Sequence, residues 1–147
     1  MSEQHLQQTL SAIDISKAQL ENLSRQQEMV QSSLEEHMRA KETVEQVAKA
    51  KENEEILVPA GAGVFLHARV GNNKTGIANA GANVMIEKEF QDIVKMLGSR
   101  IEELRNAVKE LDEQGEKIGN AIEQLSADAQ QQYVELQKPV KPAGKGK

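Results

Sequence analysis

Residues 56–86 read ILVPAGAGVFLHARVGNNKTGIANAGANVMI, and this stretch decides the fold because it separates two long polar segments. It holds five of the ten glycines in the chain. Glycine in a helix interior costs about 1 kcal/mol relative to alanine, so the stretch is not helical. Short β-type runs alternate with turn signals, which predicts two small hairpins. The first pairs strands near 55–59 and 62–70, and the second pairs strands near 75–79 and 82–86.

The segment before this stretch is predicted to form one helix over residues 2–53. Ser2 is a suitable N-cap, and neither proline nor glycine follows it for about fifty residues. Apolar residues recur mostly at spacings of three, four or seven, which places them on one helix face that we call the seam. They are Leu6, Leu10, Ile13, Leu20, Leu23, Val30, Leu34, Met38, Val44 and Ala48. Polar residues interrupt the repeat from Ser24 to Gln27, so we expect a phase shift near 20–23.

The segment after the stretch is predicted to form a second helix over residues 87–137, and its repeat is a strict heptad. One seam position takes Val94, Ile101, Val108, Gly115, Ile122, Ala129 and Leu136. The other takes Phe90, Leu97, Leu104, Leu111, Ile118, Leu125 and Gln132. Gly115 and Gly119 are expected to interrupt this helix near its middle, as a weak point, a close helix approach or a bend.

Two helices of matched length predict a mainly α fold, in which a long antiparallel two-helix coiled coil is joined at its base by the two β-hairpins. Residues 1–137 are expected to form a single domain, with residues 138–147 as a disordered basic tail. Pro59 has no N–H for a ladder, so it should end its strand or lie on a sheet edge.

Four short strands cannot bury a stable core, and open strand edges invite pairing. We therefore expect the hairpins to complete a β-barrel or sheet shared between subunits. The apolar residues expected to mediate this oligomerisation are Ile56, Val58, Val64, Leu66, Val70, Ile77, Val84 and Ile86.

Composition and charge exclude several classes of protein. The chain has only three aromatic residues and no cysteine, which favours long helices over a large globular core and fits a reducing cytoplasm. The N-terminal residues do not resemble a signal peptide, and no apolar run is long enough to span a membrane. The net charge is −5 although four lysines lie in the last ten residues, so the acidic body disfavours nucleic acid as a partner.

No catalytic or metal-binding constellation is visible, and no cofactor is predicted. His5, His37 and His67 are far apart in the sequence and are interpreted as surface or packing residues. The sequence 61–63, Gly-Ala-Gly, lacks the further glycine and the Lys-Ser/Thr of a phosphate-binding loop. The many carboxylates are interpreted as helix-surface charges, placed for pairs one turn apart such as Glu113 with Lys117.

Two motifs resemble the alpha class of the archaeal prefoldin family. Residues 58–65, Val-Pro-Ala-Gly-Ala-Gly-Val-Phe, are similar to the family's Val-Pro-x-Gly-x-Gly-Val-Phe stretch. Residues 80–88, AGANVMIEK, resemble the Gly-Ala-Gly-x-x-Val-Glu-Lys region before its second helix, although Ala80 stands where that family often has glycine. The order helix, two hairpins, helix extends the resemblance over nearly the whole chain, and two hairpins favour the alpha class over the beta class.

The resemblance implies a hexamer of two alpha and four prefoldin beta-type subunits. It further implies an ATP-independent chaperone whose coiled-coil tips hold unfolded, non-native polypeptides and deliver them to a group II chaperonin. Helix ends fray and expose their seam, so the expected client-binding residues lie at both ends of the chain. They are Leu6, Leu10, Ile13, Ile122, Leu125, Ala129, Tyr133 and Leu136.

Other interpretations of these features stay open. One alternative is that the same terminal residues only close the coiled coil. A structural scaffold or tether would account for the helices but not for the glycine-rich centre, and an RNA-binding arm is disfavoured by the acidic body. Suppression of client aggregation distinguishes a chaperone from both alternatives.

Overall fold

A computed structural model describes residues 3–72 and 74–139. In chain order the elements are α1 (Glu3–Lys49), β1 (Glu55–Gly61), β2 (Val64–Arg69), β3 (Thr75–Asn79), β4 (Met85–Glu89) and α2 (Phe90–Gln137). The strands form two antiparallel hairpins, β1 with β2 and β3 with β4. The predicted mainly α fold with two hairpins is confirmed. The predicted cap at Ser2 and tail residues 140–147 lie outside the described residues.

The helix boundaries differ from the predicted ones because strand hydrogen bonds continue further than the pattern indicated. Asn53 adopts a left-handed conformation, with φ of 68°, and its N–H donates to the Val70 carbonyl at 2.7 Å. Helix α1 therefore ends at Lys49, four residues before the predicted end at residue 53. At the other boundary the Phe90 N–H donates to the Lys74 carbonyl at 2.8 Å. The pairing of β4 therefore reaches Glu89, and α2 begins at Phe90 instead of residue 87.

The first hairpin turns through Ala62 and Gly63, both with positive φ, at 53° and 76°. A two-residue turn of this hand matches the twist of antiparallel strands. Pro59 lies inside β1, opposite Phe65, next to a register irregularity between Pro59 and Gly61. As far as the described residues extend, β1 pairs only with β2, so Pro59 occupies an edge strand, where a missing N–H is tolerated.

The chain divides into two compact units. We call the first the terminal unit; its described residues are 3–29 and 108–139. We call the second, Val30–Ala107, the hairpin unit.

In the terminal unit α1 and α2 pack antiparallel. Thr9 Oγ1 lies 3.4 Å from Gln132 Oε1, and Gln27 Nε2 donates to Asp112 Oδ1 at 2.7 Å. As the residue number increases along α1, the number of the facing residue on α2 decreases, as it does for antiparallel helices.

In the hairpin unit the second hairpin docks on α2. Ala78 of β3 is buried against Ile93 and Leu97, and Val44, Phe90 and Met96 pack around this cluster. A side chain at Gly76 would meet Phe90 and Ile93 at 3.1 Å, so β3 approaches the helix closely. Arg100 Nη2 donates to the Asn79 carbonyl at 3.1 Å and fixes the far end of β3.

The seam of α1 keeps one phase, contrary to the phase shift predicted near 20–23. Most of its buried and half-buried positions follow each other in steps of three and four within each unit. They are Leu6, Thr9, Ile13, Ser16, Leu20, Leu23 and Gln27 in the terminal unit, and Val30, Leu34, His37, Lys41 and Val44 in the hairpin unit; Ala12, Ser33, Glu45 and Val47 are half-buried as well. Polar residues occupy several seam positions. Leu10 and Met38, assigned to the seam from sequence, lie beside it and are exposed, and Ala48, also assigned to the seam, is exposed as well.

The helix α2 is continuous from Phe90 to Gln137, so the predicted interruption at Gly115 and Gly119 is wrong. Of the three predicted explanations, the close helix approach agrees with the position of Gly115, where an added Cβ would lie 3.4 Å from Leu23 Cδ2. An added Cβ at Gly119 would meet nothing within 4 Å. Gly115 therefore faces α1 at ordinary contact distance, whereas Gly119 faces open space.

We expect Gly119→Ala to raise the free energy of unfolding by about 0.5–1 kcal/mol, because alanine loses less backbone entropy in a helix and the site has room for the methyl group. Gly115→Ala is the comparison, with a similar gain because its methyl group would lie at ordinary contact distance, 3.4 Å, from Leu23 Cδ2. Urea unfolding followed by circular dichroism measures both. An unchanged or lower stability for Gly119→Ala would contradict the packing described.

Candidate binding surfaces

The first hairpin presents apolar side chains on both faces. Leu57, Val58, Val64, Phe65 and Leu66 are between 41% and 59% exposed. Neighbouring residues of a strand point to opposite faces. Because neighbours in both strands are exposed, neither face of the hairpin is covered. An open groove also follows β1, between that strand and the end of α1, with Val47, Ala50, Ile56 and Val58 among its lining residues. This hairpin therefore offers more apolar surface than its own chain covers.

The second hairpin presents one apolar face and buries the other. Ala78 faces α2, whereas Ile77 beside it is 69% exposed. Met85, the first residue of β4, and Val84 just before it are also exposed. The open surface of this hairpin is thus held in place by its docking on the helix.

The eight residues predicted for oligomerisation fall into three groups. Val58, Val64, Leu66, Ile77 and Val84 are exposed, and Ile56 and Ile86 are half-buried. Val70 is buried, with its N–H donating to the Glu54 carbonyl at 2.9 Å.

Val70 therefore holds the two ends of the first hairpin together within its own chain, and it does not belong to the exposed surface. The sequence prediction missed Leu57, Phe65 and Met85, which are all more than half exposed. The available signal was that each of them adjoins a predicted residue in the sequence. Consecutive apolar residues in a strand place apolar side chains on both of its faces.

The predicted tip residues also divide by burial. Ile13 and Ala129 are buried and close the seam, while Leu6, Ile122 and Leu125 are half-buried. Leu10, Tyr133 and Leu136 are exposed at 43–54%.

Thr9 and Gln132 face each other across the two helices. Leu10 and Tyr133 are the next residues after them, so they lie on neighbouring helix positions. Val134, which the sequence prediction missed, is exposed as well. We call Leu10, Tyr133, Val134 and Leu136 the end patch. Ile15 and Met29 are further exposed residues of the terminal unit, and the seam pattern missed them because they lie outside it.

The histidines and carboxylates are mostly surface groups. His5 and His67 are exposed, and His67 Nδ1 lies 3.2 Å from Glu55 Oε1. His37 is half-buried in the seam, with Nδ1 2.7 Å from the Ser33 carbonyl oxygen. The predicted pair of Glu113 with Lys117 is not formed: both side chains are exposed and they lie beyond ion-pair distance.

Gly-Ala-Gly at 61–63 forms the end of β1 and the turn that follows it, which accounts for these residues without a phosphate ligand. Within residues 3–72 and 74–139 no three His, Asp or Glu side chains are grouped to hold a metal ion. In the same part of the chain neither helix has an apolar segment long enough to cross a membrane.

Comparison with known proteins identifies the family. The family model described as Prefoldin subunit matches residues 16–135. Prefoldin subunit alpha of Methanococcus aeolicus is 33% identical over 93 residues, which cover 60% of this chain and 65% of the relative. The match therefore spans slightly less than two thirds of that relative's length. Prefoldin subunit alpha 1 of Thermococcus kodakarensis is 33% identical over 87 residues, covering 59% of this chain and 60% of the relative.

Two solved structures have the same fold. The filamentous PFD from Methanocaldococcus jannaschii has a TM-score of 0.64 at 20% identity, covering 80% of this chain and 97% of that chain. The prefoldin beta subunit from Thermococcus strain KS-1 has a TM-score of 0.59 at 18% identity, covering 92% and 95%. Because the family model matches most of its length, this chain belongs to the prefoldin family, which is a family of chaperones. Its resemblance to the alpha class, predicted from two sequence motifs, is confirmed.

Proposed function

We propose that this chain is a subunit of an ATP-independent holding chaperone, which captures unfolded proteins on its end patch and delivers them to a group II chaperonin. One observation carries the proposal. In a member of a chaperone family, four large apolar side chains stay open near the ends of the two helices, although buried seam residues lie beside them.

The end patch has the properties that binding of non-native chains requires. Unfolded proteins expose apolar groups that folded proteins hide, and exposed apolar groups on a carrier bind them without a defined sequence. A patch of four residues binds weakly by itself. Several subunits that present one patch each would raise the overall affinity through the effective concentration of the linked sites.

The two hairpins are proposed as the assembly surface. Their open apolar faces support pairing with other prefoldin subunits, because two-stranded sheets are marginally stable alone. The proposed assembly has two alpha and four beta-type subunits and acts in the cytoplasm, with residues 1–137 as one prefoldin-type domain. The likeness of this fold to a filamentous prefoldin and to a beta subunit is compatible with pairing between related chains.

The test substitutes three of the four end-patch residues, by Leu10→Ser, Tyr133→Ser and Leu136→Ser. We expect assembly and melting temperature to stay near those of the unchanged chain, because these side chains are exposed and Ile13 and Ala129 still close the seam. Suppression of aggregation of a denatured client, measured by light scattering without nucleotide, should fall several-fold.

The matched control replaces three exposed apolar residues elsewhere on α1, by Ile15→Ser, Met29→Ser and Met38→Ser. Full holding by the end-patch variant would place the client-binding surface elsewhere. An equal loss in the control would show that position on the chain is irrelevant. Failure of the unchanged assembly to suppress aggregation would favour a scaffold or tether.

A further inference from the structure

An apolar pocket lies between the end of α1 and the start of α2, within the hairpin unit. Its volume is about 430 Å³, and Ala48, Phe90 and Val94 provide its apolar surface. Lys95 also lines it, two residues from Ile93, which places the two side chains nearly opposite each other around the helix. Because Ile93 faces β3, the second hairpin packs on the other flank of α2 and leaves this pocket open.

Two lysines give the pocket a positive charge that its own chain does not neutralise. Lys49 and Lys95 line it, both are exposed, and neither has an Asp or Glu within ion-pair distance in the part of the chain that the structure describes. The acidic residue of the lining, Glu45, already has Lys41 Nζ 4.0 Å from its carboxylate. Lysine stems lie along apolar surface while their ammonium groups stay in water, so an apolar wall and two unpaired cations adjoin each other here.

The apolar part of the pocket is short. From Phe90 to Lys95 the helix rises by five residues, which is roughly 8 Å. The next groove along the two helices shares Glu45 with the pocket, and seven of its ten lining residues are charged. An amphipathic helix of three turns would need roughly 16 Å of apolar surface. The pocket therefore suits a single ring system or a short alkyl group better than a helix of a partner protein.

We propose that this pocket binds a small amphipathic anion, in which an aromatic ring or a short alkyl group carries a carboxylate. The apolar part of the ligand contacts Ala48, Phe90 and Val94, and the carboxylate accepts hydrogen bonds from Lys49 and Lys95. Small-molecule pockets of roughly 300–1,000 Å³ combine apolar walls with a few polar groups that fix the orientation of the ligand. The pocket shares no residue with the end patch or with the exposed apolar residues of the hairpins.

The test compares three fluorescent probes with the same ring system: naphthoate, the neutral naphthylmethanol and the cationic naphthylmethylamine. The chain has no tryptophan, so naphthalene fluorescence can be followed without interference. Naphthoate should bind the full chain, as purified, about tenfold more tightly than the alcohol at low salt, since each exposed charge pair contributes at most a factor of about five. The amine should bind most weakly. Naphthoate should also raise the melting temperature, because a ligand that binds only the folded state stabilises it.

A matched pair of variants locates the charge effect. Lys49→Gln with Lys95→Gln should reduce the preference for naphthoate over the alcohol to about twofold or less, with binding of the alcohol unchanged. The control, Lys109→Gln with Lys117→Gln, makes the same change in net charge at exposed residues of the terminal unit and should keep the preference. Ala48→Leu tests the apolar wall: leucine is a strong helix former, and by filling part of the pocket it should weaken binding of both probes about fivefold or more.

Several results would overturn the inference. Equal binding of naphthoate and the alcohol at low salt would remove the role of the two lysines. Equal loss of preference in both lysine variants would show that net charge, and not the pocket, attracts the anion. Absence of saturable naphthoate binding would show that the pocket holds no small ligand of this class. Tighter binding of an unstructured peptide with adjacent phenylalanine and glutamate, in competition with naphthoate, would assign the pocket to a protein segment.

Discussion

Replacing both Val64 and Leu66 by aspartate should abolish assembly with partner subunits and leave the helical circular dichroism largely unchanged. The two residues lie on one face of β2 and are 51% and 56% exposed. Because they have little packing to lose within the chain, the double variant should still fold. Two carboxylates placed in an apolar interface between sheets would lack partners, and burying an unpaired charge costs several kcal/mol.

Native mass spectrometry after co-expression with a prefoldin beta-type subunit measures the oligomer directly. The control is Met29→Asp, which adds a charge at a helix residue that is 73% exposed and distant in sequence from the hairpins. It should assemble normally. If the double variant assembles to the same extent as this control, the hairpin faces are not the assembly surface.

Leu97→Ala should lower the free energy of unfolding by about 3 kcal/mol, the middle of the range for buried leucines. Leu97 is 7% exposed and belongs to the cluster that joins β3 to α2 through Ala78 and Ile93. Its truncation would leave a cavity where the second hairpin docks, so both the helix and the hairpin lose packing.

Denaturant unfolding at a fixed protein concentration measures this change, because association of subunits also alters apparent stability. Glu103→Ala is the control: the side chain is exposed, and alanine is a strong helix former, so its effect should be within about 0.5 kcal/mol of zero. Equal midpoints for the two variants would contradict the burial of Leu97.

The second helix was predictable because its seam is apolar in almost every heptad. Leu97 and Ile101 are buried, and the seam residues from Leu104 to Leu125 are half-buried, as the heptad predicts. Ile93 lies outside the predicted seam and is nevertheless buried. Its burial comes from β3, which docks on α2 through Ala78. A periodic pattern within one helix contains no information about a strand that packs against its side.

The first helix was harder to interpret because polar residues occupy part of its seam. Thr9, Ser16, Gln27, His37 and Lys41 keep the heptad phase but carry no apolar signal. A search for apolar periodicity therefore substituted the neighbours Leu10 and Met38 and inferred a phase shift that does not exist. The same error of assignment placed Leu10 among the predicted tip residues. In the structure Leu10 is exposed, and for that reason it belongs to the end patch.

The open surfaces were only partly predictable. Strand alternation assumes one buried face, and the first hairpin buries neither, so Leu57 and Phe65 were left out of the predicted set. Val70 was included because it is apolar and β-branched, although backbone hydrogen bonds to Asn53 and Glu54 tie it to its own chain. Which apolar strand residues stay open depends on the packing around each strand, and composition alone does not specify it.

The polar contacts across the terminal unit restrict how the two helices can align. A wholly apolar seam tolerates sliding by one heptad, roughly 10 Å, because leucine then meets leucine again. Such a slide would bring Gln27 from Asp112 to Gly119 and leave the carboxylate without its hydrogen bond. It would also bring Leu23 from Gly115, whose missing side chain makes room for it, to Ile122. The polar residues reduce apolar burial but favour one alignment, and that alignment decides which turn of α2 lies beside Leu10.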